Sequence, residues 1–133
     1  MISLRAMRSG ILVVACLTVV YAGPDAEPLP VKHGLYVQKT VSCKGAPNAA
    51  ILVWDGIGLS GAHSSKCRSR IVSRNGSTFK MTTACSALGD GSPDSSGFTE
   101  ELMVSSVSKT SFVIARGTQP GIAYRWCSDG APN

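Results

Sequence analysis

The chain has 133 residues, with 13 lysines and arginines against eight aspartates and glutamates, and a formal charge of +5. This length is enough for one domain with a modest core. The mild positive charge identifies no particular partner. Two histidines leave little material for a histidine-based catalytic or metal site.

The first 22 residues have the composition of an export signal. Arg5 and Arg8 precede an uninterrupted apolar run over residues 11–20, and Ala22 follows closely. A positive start, a short apolar stretch and a small residue at the cleavage position are typical of a secretory signal peptide, which is too short to span a bilayer comfortably. We therefore predict a signal peptide over residues 1–22, a periplasmic or secreted domain, and no transmembrane span in the mature chain.

A second processing site overlaps the first. The segment Val13-Val14-Ala15-Cys16 resembles a bacterial lipobox, in which the cysteine is acylated. The apolar stretch before Cys16 is short and the chain stays hydrophobic after it. Cleavage after Ala22 is therefore favoured, and a lipid anchor at Cys16 is the alternative.

The mature chain keeps an even number of cysteines. Without residues 1–22, 111 residues remain, with 11 basic and eight acidic side chains and a charge of +3. Four cysteines in an exported domain of this size predict two disulfides, for which three connectivities exist. No Cys-x-x-Cys spacing is present, which argues against a zinc site or a thioredoxin-type redox motif. The four are Cys43, Cys67, Cys85 and Cys127.

Short runs rich in β-formers alternate with Gly, Asn, Asp and Pro along the rest of the chain. Residues 23–33 hold three prolines and are interpreted as an extended leader, and residues 86–98 as the longest loop. The pattern predicts an all-β domain over residues 34–128, an antiparallel up-and-down barrel or sandwich of about seven to eight strands, followed by a tail over 129–133. The predicted strands are 35–42, 49–54, 66–73, 78–85, 99–107, 111–116 and 121–127.

One hairpin can be predicted in detail. Asn75-Gly76 is a strong hairpin signal between two β-rich runs. With a three-residue loop over 75–77, facing residues have numbers that sum to 152. Cys67 then faces Cys85, while the large apolar residues share one face and the charged residues share the other. This register also places Val72 opposite Lys80, Ser73 opposite Phe79 and Arg74 opposite Thr78. A slip of one residue would lose all of these features, so Cys67–Cys85 is favoured.

The second disulfide follows from the first. In an up-and-down order of seven strands, Cys43 ends the first strand and Cys127 ends the last, so both ends reach the same rim of a closed barrel. This arrangement favours Cys43–Cys127. The main competing pattern joins Cys43 to Cys67 and Cys85 to Cys127.

Basic side chains are concentrated in this hairpin. In the predicted register, five of them share one face of the sheet, which suits a polyanion such as lipopolysaccharide, nucleic acid or an acidic protein. The alternative is an exposed strand face whose charges discourage edge-to-edge pairing. The candidate anion-binding residues are Lys66, Arg68, Arg70, Arg74 and Lys80.

The residues that could carry catalysis are few. His33 lies in the leader, and His63 lies in a Gly-Ala-His-Ser-Ser loop where it could only combine with Ser64, Ser65 or Asp55. The acidic residues near Asp90 and Asp94 are interpreted as an exposed loop without the ligand series of an EF-hand. We expect no catalytic residue, no metal site and no cofactor.

The aromatic residues are expected to face the barrel interior. Tyr124 and Trp126 share one face of the last strand, while Tyr36 and Trp54 belong to the first two. Core packing is the favoured interpretation, and a small apolar ligand in the lumen is the alternative.

The segment Gly34-Leu35-Tyr36, four cysteines closing short strands, and a final Tyr124-Arg125-Trp126-Cys127 resemble small exported barrel proteins of proteobacteria. In size and compartment the chain is also similar to periplasmic inhibitors of c-type lysozyme. It has Ser96-Gly97-Phe98 where those inhibitors have a Ser-Gly-x-x-Tyr signature, so no inhibitory residue is transferred.

These observations give three functional expectations. The first is an exported, non-enzymatic binding or inhibitory module whose partner is an unknown protein or an anionic envelope component. The second is a polyanion-binding envelope or host-interaction protein that uses the basic hairpin face. The third is a small secreted hydrolase, which the absence of a paired nucleophile and base disfavours.

Overall fold

A computed structural model describes residues 29–129. The predicted signal peptide, the lipidation site at Cys16, most of the leader and the last four residues lie outside that range. Within it, no helix is long and apolar enough to cross a membrane. Residues 29–129 contain eight strands and a single 3-10 turn, Asn48–Ala50. The strands are β1 Gly34–Gln38, β2 Ile51–Trp54, β3 Leu59–Ser60, β4 Ser64–Asn75, β5 Thr78–Leu88, β6 Pro93–Ser108, β7 Ser111–Ala115 and β8 Ile122–Ser128.

The strands form one antiparallel, nearly closed barrel. Their order is β3-β2-β1-β8-β7-β6-β5-β4, so first and last strands are paired and the seam lies between β3 and β4. Backbone hydrogen bonds bridge the seam: the Ser69 N–H donates to the Ile57 carbonyl (2.9 Å), and the Gly61 N–H donates to the Ser64 carbonyl (3.2 Å). The predicted all-β up-and-down barrel is confirmed.

Both favoured disulfides are present, although the argument for Cys43–Cys127 was wrong in one respect. The two-residue strand β3 lies in a predicted gap and raises the number of strands to eight. Strands β1 and β8 therefore run antiparallel and end at opposite rims. Cys43 reaches Cys127 because the segment after β1 folds back over the outer face of the barrel, where the Arg125 guanidinium donates to the Val41 carbonyl (2.8 Å).

The β4–β5 register is confirmed along most of its length. Cys67 faces Cys85, and the predicted pairing continues to Ile71 and Met81. Beyond that point the prediction was wrong, because the turn has two residues, Gly76 and Ser77, instead of three. Gly76 has φ +60°, which suits the tight turn that the twist of a hairpin favours. The extra residue, Val72, forms a bulge in β4, and Ser73 pairs with Lys80 and Arg74 with Phe79 instead.

The predicted loop over residues 86–98 is largely strand. Strand β5 continues to Leu88 and β6 begins at Pro93, so the connection comprises only residues 89–92. The residues whose serine, glycine and aspartate content resembled a loop lie partly in a bulge of β6. The pairing with β5 shifts there, between Cys85–Phe98 and Ala87–Pro93. Side-chain hydrogen bonds, such as that of Asp94 with Ser96, stabilise the irregular backbone.

The barrel has a filled end and an open end. At the closed end, where β1 begins, Leu29 and Val31 are 0% and 4% exposed and belong to the main core. Two hydrogen bonds at Lys32 hold the segment that precedes β1 at this end. The Tyr36 hydroxyl donates to the Lys32 carbonyl (2.6 Å), and the Lys32 N–H donates to the Lys109 carbonyl (2.8 Å). The open end is the one at which β1 ends.

Aromatic and aliphatic side chains fill the middle of the barrel. The rings of Tyr36 and Phe112 are 4.7 Å apart, and those of Phe112 and Tyr124 are 5.8 Å apart. The expected core packing is confirmed for Tyr36, Trp54 and Tyr124, whereas Trp126 is half-buried and donates its indole N–H to the His33 carbonyl. The most deeply buried side chains include Trp54, Tyr36, Phe112, Leu29, Met81 and Leu102.

Candidate functional site

A cavity of about 550 Å³ occupies the open end of the barrel. It lies above the aromatic core, between the last residues of β1 and β5 and the first residues of β2 and β8. Leu52, Leu59 and Ile122 form much of its apolar wall. Because the opposite end is filled by Leu29 and Val31, a molecule could enter the barrel only from this side.

The rim of the cavity is also apolar. Leu88 and Phe98 are each 45% exposed and Ile122 is 39% exposed, and all three line the opening. Among residues 29–129 only six large hydrophobic side chains are this exposed, and half of them are therefore on one rim. A concentration of exposed apolar surface around an opening is typical of a binding site.

An ion pair lies on the inner wall of the cavity. The Nε of Arg116 is 2.9 Å from Oε2 of Glu100, and both side chains are partly buried. Glu100 faces inward because it is paired with the buried Thr83. Burial alone would lower the pKa of Arg116, but the hydrogen bond and the charge of Glu100 outweigh it and raise that pKa. The Arg116 guanidinium therefore stays charged beside Glu100 at neutral pH.

A second carboxylate faces the same cavity. Asp94 accepts hydrogen bonds from the Oγ (2.7 Å) and backbone N–H (3.1 Å) of Ser96. These bonds lower the pKa of Asp94, so the group is ionised at neutral pH. Among the described residues no lysine, arginine or histidine forms an ion pair with it.

The 61–64 turn between β3 and β4 forms another side of the cavity and carries His63. The turn packs closely against the β5–β6 connection: a Cβ added to Gly89 would lie 1.9 Å from the Ala62 carbonyl oxygen. Only a residue without a side chain fits at this contact. The position of His63 thus depends on a glycine in a different hairpin.

The residues considered for catalysis are not assembled. His63 and Ser64 line the cavity, but Asp55 follows β2 at the closed end, where its carboxylate accepts the N–H groups of Ile57 and Gly58. His33 lies near the closed end as well. No group of three metal-binding side chains occurs within the described part of the chain.

The five basic candidates do not share one face. Lys66, Arg68 and Arg70 are exposed along the outer side of β4. The bulge at Val72 reverses the sides of the residues that follow, so Arg74 faces the same side as the buried Phe79 and lies 4.5 Å above its ring. Lys80 remains on the outer side, where its Nζ is 3.1 Å from Glu101.

Sequence reasoning missed Glu100 and Arg116, although a signal was present. Glu100 alternates with Leu102 and Val104 in β6, and Arg116 alternates with Phe112 and Ile114 after β7. Because alternate residues of a strand share a face, each of these charges continues an inward-facing apolar series. A charged residue in such a series indicates a polar lumen.

Comparison with known proteins adds no relative. No protein family, no curated protein and no solved structure matches this chain.

Proposed function

We propose that the protein is an exported, non-enzymatic binding module that holds a small, largely apolar molecule in the open end of its barrel. The observation that carries the proposal is the cavity of about 550 Å³, which lies within the range typical of small-molecule sites. Mouths of β-barrels are common positions for such sites.

Two features of the chain support export and binding. Both disulfides indicate an oxidising compartment outside the cytoplasm, and a signal peptide over residues 1–22 would direct the chain to the periplasm or the exterior. The apolar rim of Leu88, Phe98 and Ile122 gives a hydrophobic molecule a continuous path into the lumen. An inhibitory role toward a protein partner stays a prediction from the sequence.

The positions of His63 and Asp55 disfavour a hydrolase. His63 has no hydrogen-bonding partner within residues 29–129, and Asp55 is occupied by backbone N–H groups at the other end of the barrel. A base needs an orienting group and a nucleophile within hydrogen-bonding reach.

The proposal can be tested with N-phenyl-1-naphthylamine, a neutral dye that fluoresces in apolar surroundings. We expect saturable binding to the purified protein. Ile122→Trp, which narrows the opening, should weaken dye binding about tenfold. Met103→Trp is the matched control, because Met103 is 40% exposed on the outer wall of β6 and does not line the cavity.

Two results would contradict the proposal. One is the absence of saturable dye binding to a folded protein with both disulfides formed. The other is equal weakening by the Ile122 and Met103 substitutions, because that would locate the dye on the outer surface.

A second candidate function is polyanion binding by β4. Arg68 and Arg70 are exposed and have no hydrogen bond or ion pair in the described part of the chain, so both charges are free for a ligand. Replacing both by glutamate should abolish retention on a heparin column at low salt. The charge-matched control replaces the exposed Lys39 and Lys44, which belong to the loop after β1. Equal losses in the two variants would indicate a net-charge effect only.

A further inference from the structure

We infer that the molecule held in the open end is an amphiphilic amine, with an apolar body in the lumen and a cationic head beside Asp94. This inference rests on the proposed function and adds the chemical class of the ligand. It depends on the balance of charges around the cavity and on their distribution relative to the apolar wall.

The cavity has one carboxylate in excess. Asp94, Glu100 and Arg116 face it, with histidine counted as neutral. Arg116 is already paired with Glu100 through two contacts, Nε to Oε2 at 2.9 Å and Nη2 to Oε1 at 3.5 Å. Among the described residues that line the cavity, Asp94 is therefore the charge without a counterion. The full chain has a charge of +5, so this negative cavity is opposite in sign to the protein around it.

The surroundings strengthen the effect of that carboxylate. A concave site with apolar walls concentrates the field of a charge that lies within it. Asp90, in the connection between β5 and β6, adds a second negative charge at the same end of the barrel, where Ser92 holds its carboxylate. These two carboxylates therefore lie at the open end, and of the two only Asp94 lines the cavity.

The same arrangement disfavours an anionic ligand. A carboxylate or phosphate could use Arg116 only by competing with Glu100, and it would then lie in the same cavity as Asp94. Like charges in one confined site repel each other, whereas an ammonium group gains a counterion without breaking the existing pair. The apolar body of the ligand would contact Leu52, Leu59 and Ile122.

Three ligands with the same chain length but different head groups test which head group the cavity prefers. Octylamine, octanol and octanoate carry cationic, neutral and anionic heads on the same apolar body, and isothermal titration calorimetry measures each directly, without the dye. At pH 7 and low salt we expect octylamine to bind about tenfold more tightly than octanol, and octanoate to bind more weakly than both.

Asp94→Asn should lower octylamine affinity to that of octanol and leave octanol binding unchanged. Asp90→Asn is the matched control, because Asp90 makes the same kind of turn with a serine two residues later but does not line the cavity. It should change octylamine affinity less than twofold.

The outcomes distinguish the inference from the proposed function. If octanol or octanoate binds as tightly as octylamine, or if Asp94→Asn has no effect, the inference is wrong and the cavity still binds apolar molecules. If none of the three ligands binds and the dye also fails, the proposed function itself is wrong.

Discussion

The hydroxyl oxygens of Ser69 and Thr83 lie 2.7 Å apart inside the barrel wall, where both side chains are buried. The Ser69 oxygen also accepts the backbone N–H of Leu59 at 3.0 Å. One side chain in β4 therefore links β5 on one side with β3 across the seam on the other. The shortest strand of the barrel depends on it.

Ser69→Ala should destabilise the protein by about 1–3 kcal/mol. The substitution leaves the buried Leu59 N–H without an acceptor and removes a partner from Thr83, and unmade buried hydrogen bonds cost about this much. Urea unfolding measures the change. Ser73→Ala is the control, because Ser73 is exposed on the same strand and should have almost no effect.

The two disulfides should contribute unequally to stability. Cys43–Cys127 closes a separation of 84 residues and Cys67–Cys85 one of 18. In the chain-entropy description, the loss of each costs about 4.5 and about 3 kcal/mol respectively. Two paired alanine variants, compared by urea unfolding under non-reducing conditions, test the order. A larger loss for the hairpin disulfide would contradict it.

Much of the fold could be predicted because two constraints acted together in one hairpin. The Asn75-Gly76 hairpin signal and the requirement that Cys67 face Cys85 together predicted the register up to Ile71. The bulge at Val72 could not be predicted, since a two-residue turn with a bulge and a three-residue turn without one give the same pairing beyond it. The bulge bears on the candidate anion site, because it places Arg74 on the other side of the sheet from Lys66, Arg68 and Arg70.

The open end was harder to predict than the strands. Asp94 and Phe98 belong to a stretch whose composition is that of a loop, although it pairs with β5, and hydrogen bonds from Ser96 to Asp94 stabilise its irregular backbone. The cavity is also hard to predict because it exists where no bulky side chain of the described residues fills the barrel above Tyr124. Strand periodicity predicts which side chains face inward but not whether they fill each end of the barrel, and Leu29 and Val31, which fill the other end, precede the first strand.

Gly89→Ala should destabilise the protein by about 1–3 kcal/mol and loosen the 61–64 turn. The new Cβ would lie 1.9 Å from a backbone oxygen, so one of two hairpins has to move. Thermal and urea unfolding measure the effect. Gly61→Ala is the control in the same turn, because its Cβ would lie 3.5 Å from a Leu52 methyl group, an ordinary contact. Equal losses in the two variants would argue against this packing.

Glu100→Gln should abolish the head-group preference of the cavity, because the charges of Asp94 and Arg116 then sum to zero. The substitution removes the counterion of Arg116 and changes the balance of charges facing the lumen by one positive unit. Octanoate should gain about tenfold in affinity and octylamine should lose a similar factor, as calorimetry measures. Glu101→Gln, which removes an exposed carboxylate paired with Lys80 on the outer wall, should leave both affinities unchanged. A preference that persists in Glu100→Gln would mean that Arg116 is not accessible from the lumen.

Stability should fall at alkaline pH because of Tyr36. Burial raises the pKa of this phenol to about 12, against an ordinary value near 10. Between these values the unfolded chain loses the proton and the native chain keeps it, so the contribution is complete below pH 10 and is lost as pH rises toward 12. Two units correspond to about 2–3 kcal/mol.

The Tyr36 contribution can be isolated by comparing two tyrosine variants. Tyr36→Phe loses the hydrogen bond to the Lys32 carbonyl and should be less stable at pH 8, but its stability should fall less between pH 9 and pH 11 than that of the wild type. Tyr124→Phe keeps Tyr36 and should retain the decrease that Tyr36 causes. Because the two variants differ only at these two tyrosines, the contributions of all other side chains cancel in the comparison. A parallel decrease in the two variants would show that Tyr36 ionises as freely in the native protein as in the unfolded chain, and that the closed end admits water to its hydroxyl.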